Sequence, residues 1–476
     1  MNSRVGSVSK KDFLSIFSVV ILPMFLAAID QTLLATATPN IVEDLGGMHI
    51  SSWIAIGYLL ASASSVQIYG WMGDVYGRSR MLKIALVIFA VGSIIGGLAQ
   101  SMWMLILGRI VQGMAGGGLM SLSQALIGEL VPPRERANYQ GYFSSMFAFS
   151  SISGPVIGGF MVTHLSWQWL FWFNLPLIAL AMWRVSSLPT PAIKTDRPVV
   201  DRTSLVLFPI AMSAVIYWLS SGGHYFPWFS STSLLLLALF IVSLTIFVIR
   251  QRGSDAPFIP PELLQVRAIR LPLLASFLFA SCMFALAFFL PIYFQVALGQ
   301  SAADAGLLMI PMSAGIVLGA YLTGKMIART GIPKWNPVIG MTLCAIMFLI
   351  MGLVEENALL LSLLSCGCGF GMGTVMPSTQ LTVQTVAGRQ HIGKVTSMVS
   401  LCRSLGASFG TATFGTLVYS MLPGFGINSS IEELMTMPKM VVVDAFQIGY
   451  LVVAGVALLT ALVAFRVPLI RLPERG

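Results

Sequence analysis

The chain has 476 residues, of which 56% are hydrophobic and 9% charged, and its mean hydropathy is +0.86. That composition excludes a water-soluble domain and fits a polytopic membrane protein. The formal net charge of +9 reads as membrane topology and contact with anionic lipid, not as nucleic-acid binding.

A helix needs about 20 apolar residues to cross about 30 Å of hydrocarbon. Fourteen such stretches are predicted, at about 13–38, 52–72, 81–100, 102–127, 139–163, 167–185, 204–222, 232–250, 271–298, 304–327, 335–354, 358–378, 394–418 and 444–466. With the N-terminus inside, 24 of the 27 Lys and Arg fall in cytoplasmic segments, Lys439 falls outside, and Arg109 and Arg403 lie within spans. The excess of basic residues on the cytoplasmic side agrees with an even number of spans and with both termini in the cytoplasm.

The first span begins after Lys10 and Lys11 and ends near Ala35-Thr36-Ala37, which imitates a signal peptide with its cleavage site. Its apolar run is too long for that, and cleavage would invert the charge pattern, so it is read as a retained helix. It carries one charge, Asp30, in "FLAAIDQTLLATATP". A carboxylate at that depth costs about 2.5–3.5 kcal/mol or more and calls for compensation.

The second and third spans are joined by "GWMGDVYGRSR", where Gly73 and Gly77 permit a tight turn. Asp74 there can pair with Arg78, Arg80 or Lys83, or face a helix N-terminus. Arg109 lies in the descending fourth span, roughly 11 Å below the outer boundary, and Asp30 lies roughly 13 Å below it, at about 1.5 Å per residue. Asp30 is the only acid well inside a span, so an ion pair with Arg109, direct or through water, is the natural compensation. The alternative is that each bonds backbone carbonyls or borders an aqueous vestibule.

In the fifth span, "SGPVIGGF" sets Gly154 and Pro155 one turn before Gly158 and Gly159. This pattern suits either a hinge, with glycines sliding against a proline bend, or a static kink. Gly113/Gly117, Gly315/Gly319, Gly367/Gly371 and Gly406/Gly410 read as helix-packing pairs. Long polar connections at 188–202 and 250–270 divide the chain into a six-helix bundle at 1–187, a linker with two further spans at 188–269, and a second six-helix bundle at 270–476. "GWMGDVYGRSR" and "GKMIARTGIPK" share Gly70/Gly324, Met72/Met326, Gly77/Gly331 and Arg80/Lys334, the trace of a duplicated half.

Arg403 has no acid left within the spans and is assigned to the central cavity or to a helix C-terminus. The five cysteines fall in spans and form no disulfide or zinc framework, so no metal site is expected. "GRQHIGKV" lacks the Ser or Thr of a phosphate-binding loop. No nucleotide domain is present, so transport would draw on an ion gradient.

These features resemble the major facilitator superfamily, specifically its fourteen-span drug:proton antiporters, along essentially the whole chain. "GWMGDVYGRSRML" is similar to the family's second-to-third-span motif at Gly70, Asp74, Gly77 and Arg78, with Val75 and Ser79 replacing usually basic residues. "RIVQG" matches the fourth-span motif at Arg109, Gln112 and Gly113, "GPVIGG" the fifth-span antiporter signature, and "IDQTLLATATP" the first-span motif, with Ala35 in place of the usual Asn. "WQWLFWFNLP" keeps Asn174 but has Gln168 for the customary Arg.

The resemblance implies an all-α major facilitator fold of two six-helix bundles plus two central helices. It also implies a proton-coupled, cofactor-free antiporter in the cytoplasmic (inner) membrane that exports amphipathic drugs or toxic compounds by alternating access. Asp30 and Arg109 would couple protons; Gly70, Asp74, Gly77, Arg78 and Arg80 would form the cytoplasmic gate; and Thr32, Asn174 and Arg403 are cavity candidates. The expected partners are small amphipathic substrates, protons and lipid, with a periplasmic adaptor if the source has two membranes, no nucleic acid, and a monomer as the working unit. A dedicated exporter of one metabolite, peptide or siderophore is the alternative within the same fold. A membrane-embedded enzyme or sensor is set aside because no His/Asp/Glu cluster faces a membrane boundary. One acid against two arginines inside the spans predicts poor transport of dications.

Overall fold

The computed structural model describes residues 10–34, 37–47, 50–188, 201–223, 225–254, 257–354, 357–423 and 437–473. Most of the predicted 188–202 linker and much of the outer loop near 420–443 lie outside these residues. The described chain is helical. In order the helices are α1 (Lys10–Leu33), α2 (Thr38–Leu45), α3 (Trp53–Tyr76), α4 (Arg78–Gly97), α5 (Met102–Leu130), α6 (Pro133–His164), α7 (Trp169–Trp172), α8 (Asn174–Ser186), α9 (Arg202–Ser221), α10 (Ser231–Arg252) and α11 (Pro261–Gln265). Then follow α12 (Arg267–Val296), α13 (Ala302–Leu308), α14 (Ile310–Thr330), α15 (Trp335–Met351), α16 (Ala358–Gly373), α17 (Val375–Ala387), α18 (Ile392–Ser420) and α19 (Lys439–Phe465).

Helices occupy all fourteen stretches expected from hydropathy, yet among the described residues nine of them are long and apolar enough to cross a membrane, ten if the bent α1–α2 pair is one span. The shortfall has physical causes. α15 is apolar but only 17 residues long. α3, α6 and α18 carry polar residues, such as Gln67, Arg134 and Lys394, whose side chains bond other parts of the protein: Ser397, the Leu472 carbonyl and the Pro257 carbonyl.

Two large apolar clusters divide the molecule. One is built from residues between Val19 and Val185, around Phe89, Phe143 and Tyr139. The other lies between Phe279 and Ala461, around Phe294, Phe348, Phe446 and Tyr450. A smaller cluster of Val66, Trp71, Phe208, Phe247, Phe258 and Leu401 lays α9 and α10 against α3 and α18. The glycine pairs mark helix crossings. A Cβ at Gly113 or Gly117 would strike the backbone of Tyr58 or Ser62, one at Gly315 or Gly319 that of Cys366 or Phe370, and one at Gly406 or Gly410 that of Phe277 or Ser281. The duplicated motif also has a shared conformation, since Gly77 and Gly331 both end their helices with positive φ, 93° and 70°, a region costly for side chains with a Cβ.

Candidate functional site

α1 carries Asp30 into the interior, where it is 2% exposed, against α5 and α8. Its Oδ2 accepts a hydrogen bond from Arg109 Nη1 at 2.5 Å. Its Oδ1 accepts from Asn174 Nδ2 at 2.7 Å and from Gln112 Nε2 at 3.3 Å. Arg109 and Gln112 stand three residues apart on α5 and therefore share a face. That spacing lets Arg109 Nη1 also donate to Gln112 Oε1 at 2.7 Å, while Gln112 Nε2 donates to Ser93 Oγ on α4 at 2.9 Å.

The guanidinium is completed by the Ile54 carbonyl, at 3.2 Å from Nε, and by the Tyr58 ring, 4.4 Å from Cζ. Each charge thus has a partner, and the neutral groups around the pair satisfy what remains, as a buried ion pair requires. Asn174 Oδ1 has no partner. The direct pairing of Asp30 with Arg109 settles the alternatives open from sequence. Ser93, Ile54 and Tyr58 are neutral or backbone contributors that sequence reading missed, because only the packing of α3 and α4 on α5 brings them in. Gly113 supports this packing by admitting the Tyr58 backbone.

A second network lies at the end of the bundle where α1 begins and α19 ends. Asp74 Oδ1 accepts from Arg78 Nη2 at 2.7 Å, and Arg78 Nη1 reaches Glu129 Oε2 at 2.6 Å. Asp74 also accepts from the backbone N–H groups of Gly393 and Lys394, both at 2.9 Å, so it faces the N-terminus of α18. Both roles open to Asp74 from sequence are therefore present, and Glu129 is an added member. Gly70 lies flat against α18, where a Cβ would meet Ser397 Oγ and, at 2.6 Å, the Gly393 carbonyl. Ser397 Oγ bonds Gln67 Oε1 at 2.9 Å, and Lys394 Nζ donates to the Pro257 carbonyl at 2.9 Å. Arg80 is half-buried and takes no part in these bonds. His391 ionises below its ordinary value, first through burial and then through the neighbouring Lys394 charge.

The other candidates are placed as follows. Thr32 joins α1 to α6, donating to Ser150 O at 2.9 Å and Ile29 O at 3.0 Å. It packs on Gly154, where a Cβ would collide with its Oγ1. α6 is helical through the whole "GPVIGG" segment, with Gly158 buried and Gly159 facing open space; the Pro155 side chain lies outside the described part. Arg403 is partly exposed midway along α18, with Nη1 3.5 Å from Met376 Sδ. Ser301 caps α13, accepting from the Asp304 N–H and donating to Asp304 Oδ2, and Asp304 itself is exposed. Among the described residues no group of His, Cys, Asp and Glu is arranged to hold a metal.

The described chain is thus a bundle of apolar helices around a buried charge network. The chain belongs to the Major Facilitator Superfamily, whose pattern matches residues 20–411. It is 36% identical over 410 residues to a Mycobacterium tuberculosis protein named an uncharacterized MFS-type transporter, a match covering 86% of this chain and 60% of that one. It thus spans about 60% of the length of that relative. The multidrug transporter protein MdtP of Bacillus subtilis is 31% identical over 418 residues, covering 87% of this chain and 77% of that one. The solved proton:xylose symporter XylE, at 17% identity, superposes with a TM-score of 0.66 over 97% of both chains, a likeness of fold.

Proposed function

We propose that this protein is a proton-coupled antiporter that exports amphipathic drugs or toxic compounds across the cytoplasmic membrane. It would work by alternating access between bundles 1–187 and 270–476, with 188–269 supplying two additional spans, fourteen in all, and both termini in the cytoplasm. It would act as a monomer without cofactor, with an adaptor protein only in a double-membrane source. The observation that carries this reading is the buried Asp30–Arg109 pair, with Gln112 and Asn174 completing the carboxylate. A carboxylate that can be protonated is the one group in this network able to exchange a proton while the arginine stays charged. Protonation cancels the attraction between α1 and α5, and that difference between two states is what a proton must supply to bias a conformational equilibrium.

The network around Asp74 joins α3 and α4 to α18. In this reading it is the cytoplasmic gate in its closed position, with Gly70, Gly77 and Arg78 shaping the contact. Gly154 and the rest of "GPVIGG" let α6 move along α1. Relatives named multidrug transporters support the export direction.

The test uses purified protein in liposomes with an imposed pH gradient, a panel of cationic, neutral and anionic amphiphiles, and a pH dye inside. Substrate flux should be matched by an opposite proton flux. Flux that leaves the internal pH unchanged and survives collapse of the gradient would refute proton coupling.

A further inference from the structure

Arg403 stands midway along α18 in an apolar span, and among the described residues no carboxylate pairs with it. Its Nη1 meets Met376 Sδ of α17 at 3.5 Å. A thioether is a weak acceptor and does not offset a guanidinium charge at such depth. One turn further along α17, Gln380 is fully buried at 0% exposure, and neither its Nε2 nor its Oε1 has a hydrogen-bond partner.

The two anomalies lie on the same seam. Met376, Gln380 and Gln384 recur at four-residue spacing and share one face of α17. That face meets α18 at both ends, through Met376 with Arg403 and through Gln384 Nε2, which donates to Thr396 Oγ1 at 3.0 Å. Gln380 lies midway between those contacts. The level opposite is that of Ser400, which shares a helix face with Thr396 and Arg403 by its spacings of four and three. An unpaired cation and an unpaired amide are therefore within about one helical turn of each other, roughly 5 Å along the axis.

A carboxylate or sulfonate fits both needs. It accepts the planar guanidinium fork, and its free lone pairs accept from an amide N–H. We infer that the Arg403–Gln380 seam binds the anionic head group, carboxylate or sulfonate, of an amphipathic substrate. Gln380 Oε1 then remains to accept a hydroxyl or ammonium proton, which favours hydroxylated or zwitterionic members of that class. The inference rests on the exporter reading for its substrate, but not for the binding itself.

The test compares three naphthalene derivatives that differ in one substituent: sulfonate, hydroxymethyl and trimethylammonium. Binding to the full-length protein is read from tryptophan fluorescence in phosphatidylcholine nanodiscs, and flux is read in liposomes under a pH gradient. Arg403→Gln should weaken sulfonate binding about tenfold or more while leaving the hydroxymethyl compound within about twofold, as loss of a charged hydrogen bond predicts. Arg403→Lys, which keeps the charge but not the fork, should recover part of the loss, and Gln380→Leu should show a smaller loss of the same kind. Unchanged sulfonate affinity in Arg403→Gln, or equal weakening of all three compounds, would overturn the assignment. Displacement of the sulfonate by added phosphatidylglycerol, with an Arg403-dependent lipid affinity, would give the site to a lipid phosphate and overturn it as well. Failure of the exporter reading looks different: the wild type would move none of the three compounds under a gradient, while sulfonate binding would still depend on Arg403.

Discussion

Asp30→Asn should abolish gradient-driven transport in a protein that still folds, and the local geometry gives the size of the stability loss. The carboxylate is an acceptor on both oxygens, taking Arg109 on one and Asn174 and Gln112 on the other. An amide has one acceptor oxygen, and its N–H₂ group must point at a donor unless a neighbour turns over. Asn174 can do this, because its Oδ1 has no partner in the native arrangement and a flipped side chain would receive the new N–H₂. Arg109 would keep the amide oxygen, Gln112 Oε1, the Ile54 carbonyl and the Tyr58 ring, but would lose its counter-charge. Breaking a buried pair costs about 3–5 kcal/mol, and the retained contacts argue for a loss near the lower end, about 3 kcal/mol. The double variant Asp30→Asn/Asn174→Ala removes the rescuing flip and should be less stable than the two single losses added together. Stability is read as unfolding in detergent, and transport as proton-driven flux against solute exchange without a gradient. Exchange should persist while proton-driven flux disappears. Normal gradient-driven flux in Asp30→Asn would refute the coupling role.

Gly154→Leu should reduce transport at least tenfold, because its Cβ would run into Thr32, whereas Gly159→Leu faces open space and should keep near-native flux; equal flux from both would reduce the segment to passive packing. Gly70→Val should hold the α3–α18 seam apart, seen as faster maleimide labelling of a Gln67→Cys reporter buried on that seam; slow labelling as in the unsubstituted reporter would contradict the closed-gate reading. His391 ionises below its usual value of 6.5, so the folded state binds fewer protons there than the unfolded chain. The resulting destabilisation is absent at neutral pH and grows as pH falls through about 6.5 and below. The wild type should therefore lose more thermal stability than His391→Gln between pH 7.5 and pH 5.5, and an identical loss in both would show that His391 carries no such penalty.

The pairing of Asp30 with Arg109 was legible in the sequence, because burial of charge in lipid leaves few solutions and depth along a helix is simple to count. Gln112 entered only through the resemblance of "RIVQG" to the family's fourth-span motif, and its bonds to Asp30 and Arg109 are seen in the structure. Asn174 stood out only as a cavity candidate. Its hydrogen bond to Asp30 depends on how α8 packs across α1, which helical periodicity does not encode. That Asp74 can face a helix N-terminus was legible, but not which one: the N–H groups of Gly393 and Lys394 that hold it exist wherever a helix begins, whatever its residues. The count of spans was the hardest quantity to read, since α3, α6 and α18 trade apolar surface for polar seams between helices and so fall below a hydropathy test.

The duplicated motif shows why those seams differ. Gly77 and Gly331 both end their helices, α3 and α14, with positive φ, yet the position that carries Asp74 in the first copy is Ala328 in the second. In the first, a carboxylate joins the start of α18, with Arg78 and Glu129 behind it. In the second, the contact with α6 lacks that acid. There the Gly331 carbonyl accepts the Leu472 N–H at 2.8 Å, Arg134 Nε donates to the Leu472 carbonyl at 3.3 Å, and the Leu472 side chain is buried with Ala137, Ile327 and Leu381. One seam is thus held by a carboxylate network that ionic strength and neighbouring titration can weaken, the other by hydrogen bonds to the Leu472 backbone and by apolar burial. In the alternating-access cycle proposed above, the electrostatic side would part first while the chain segment after α19 keeps α6 and α14 in register.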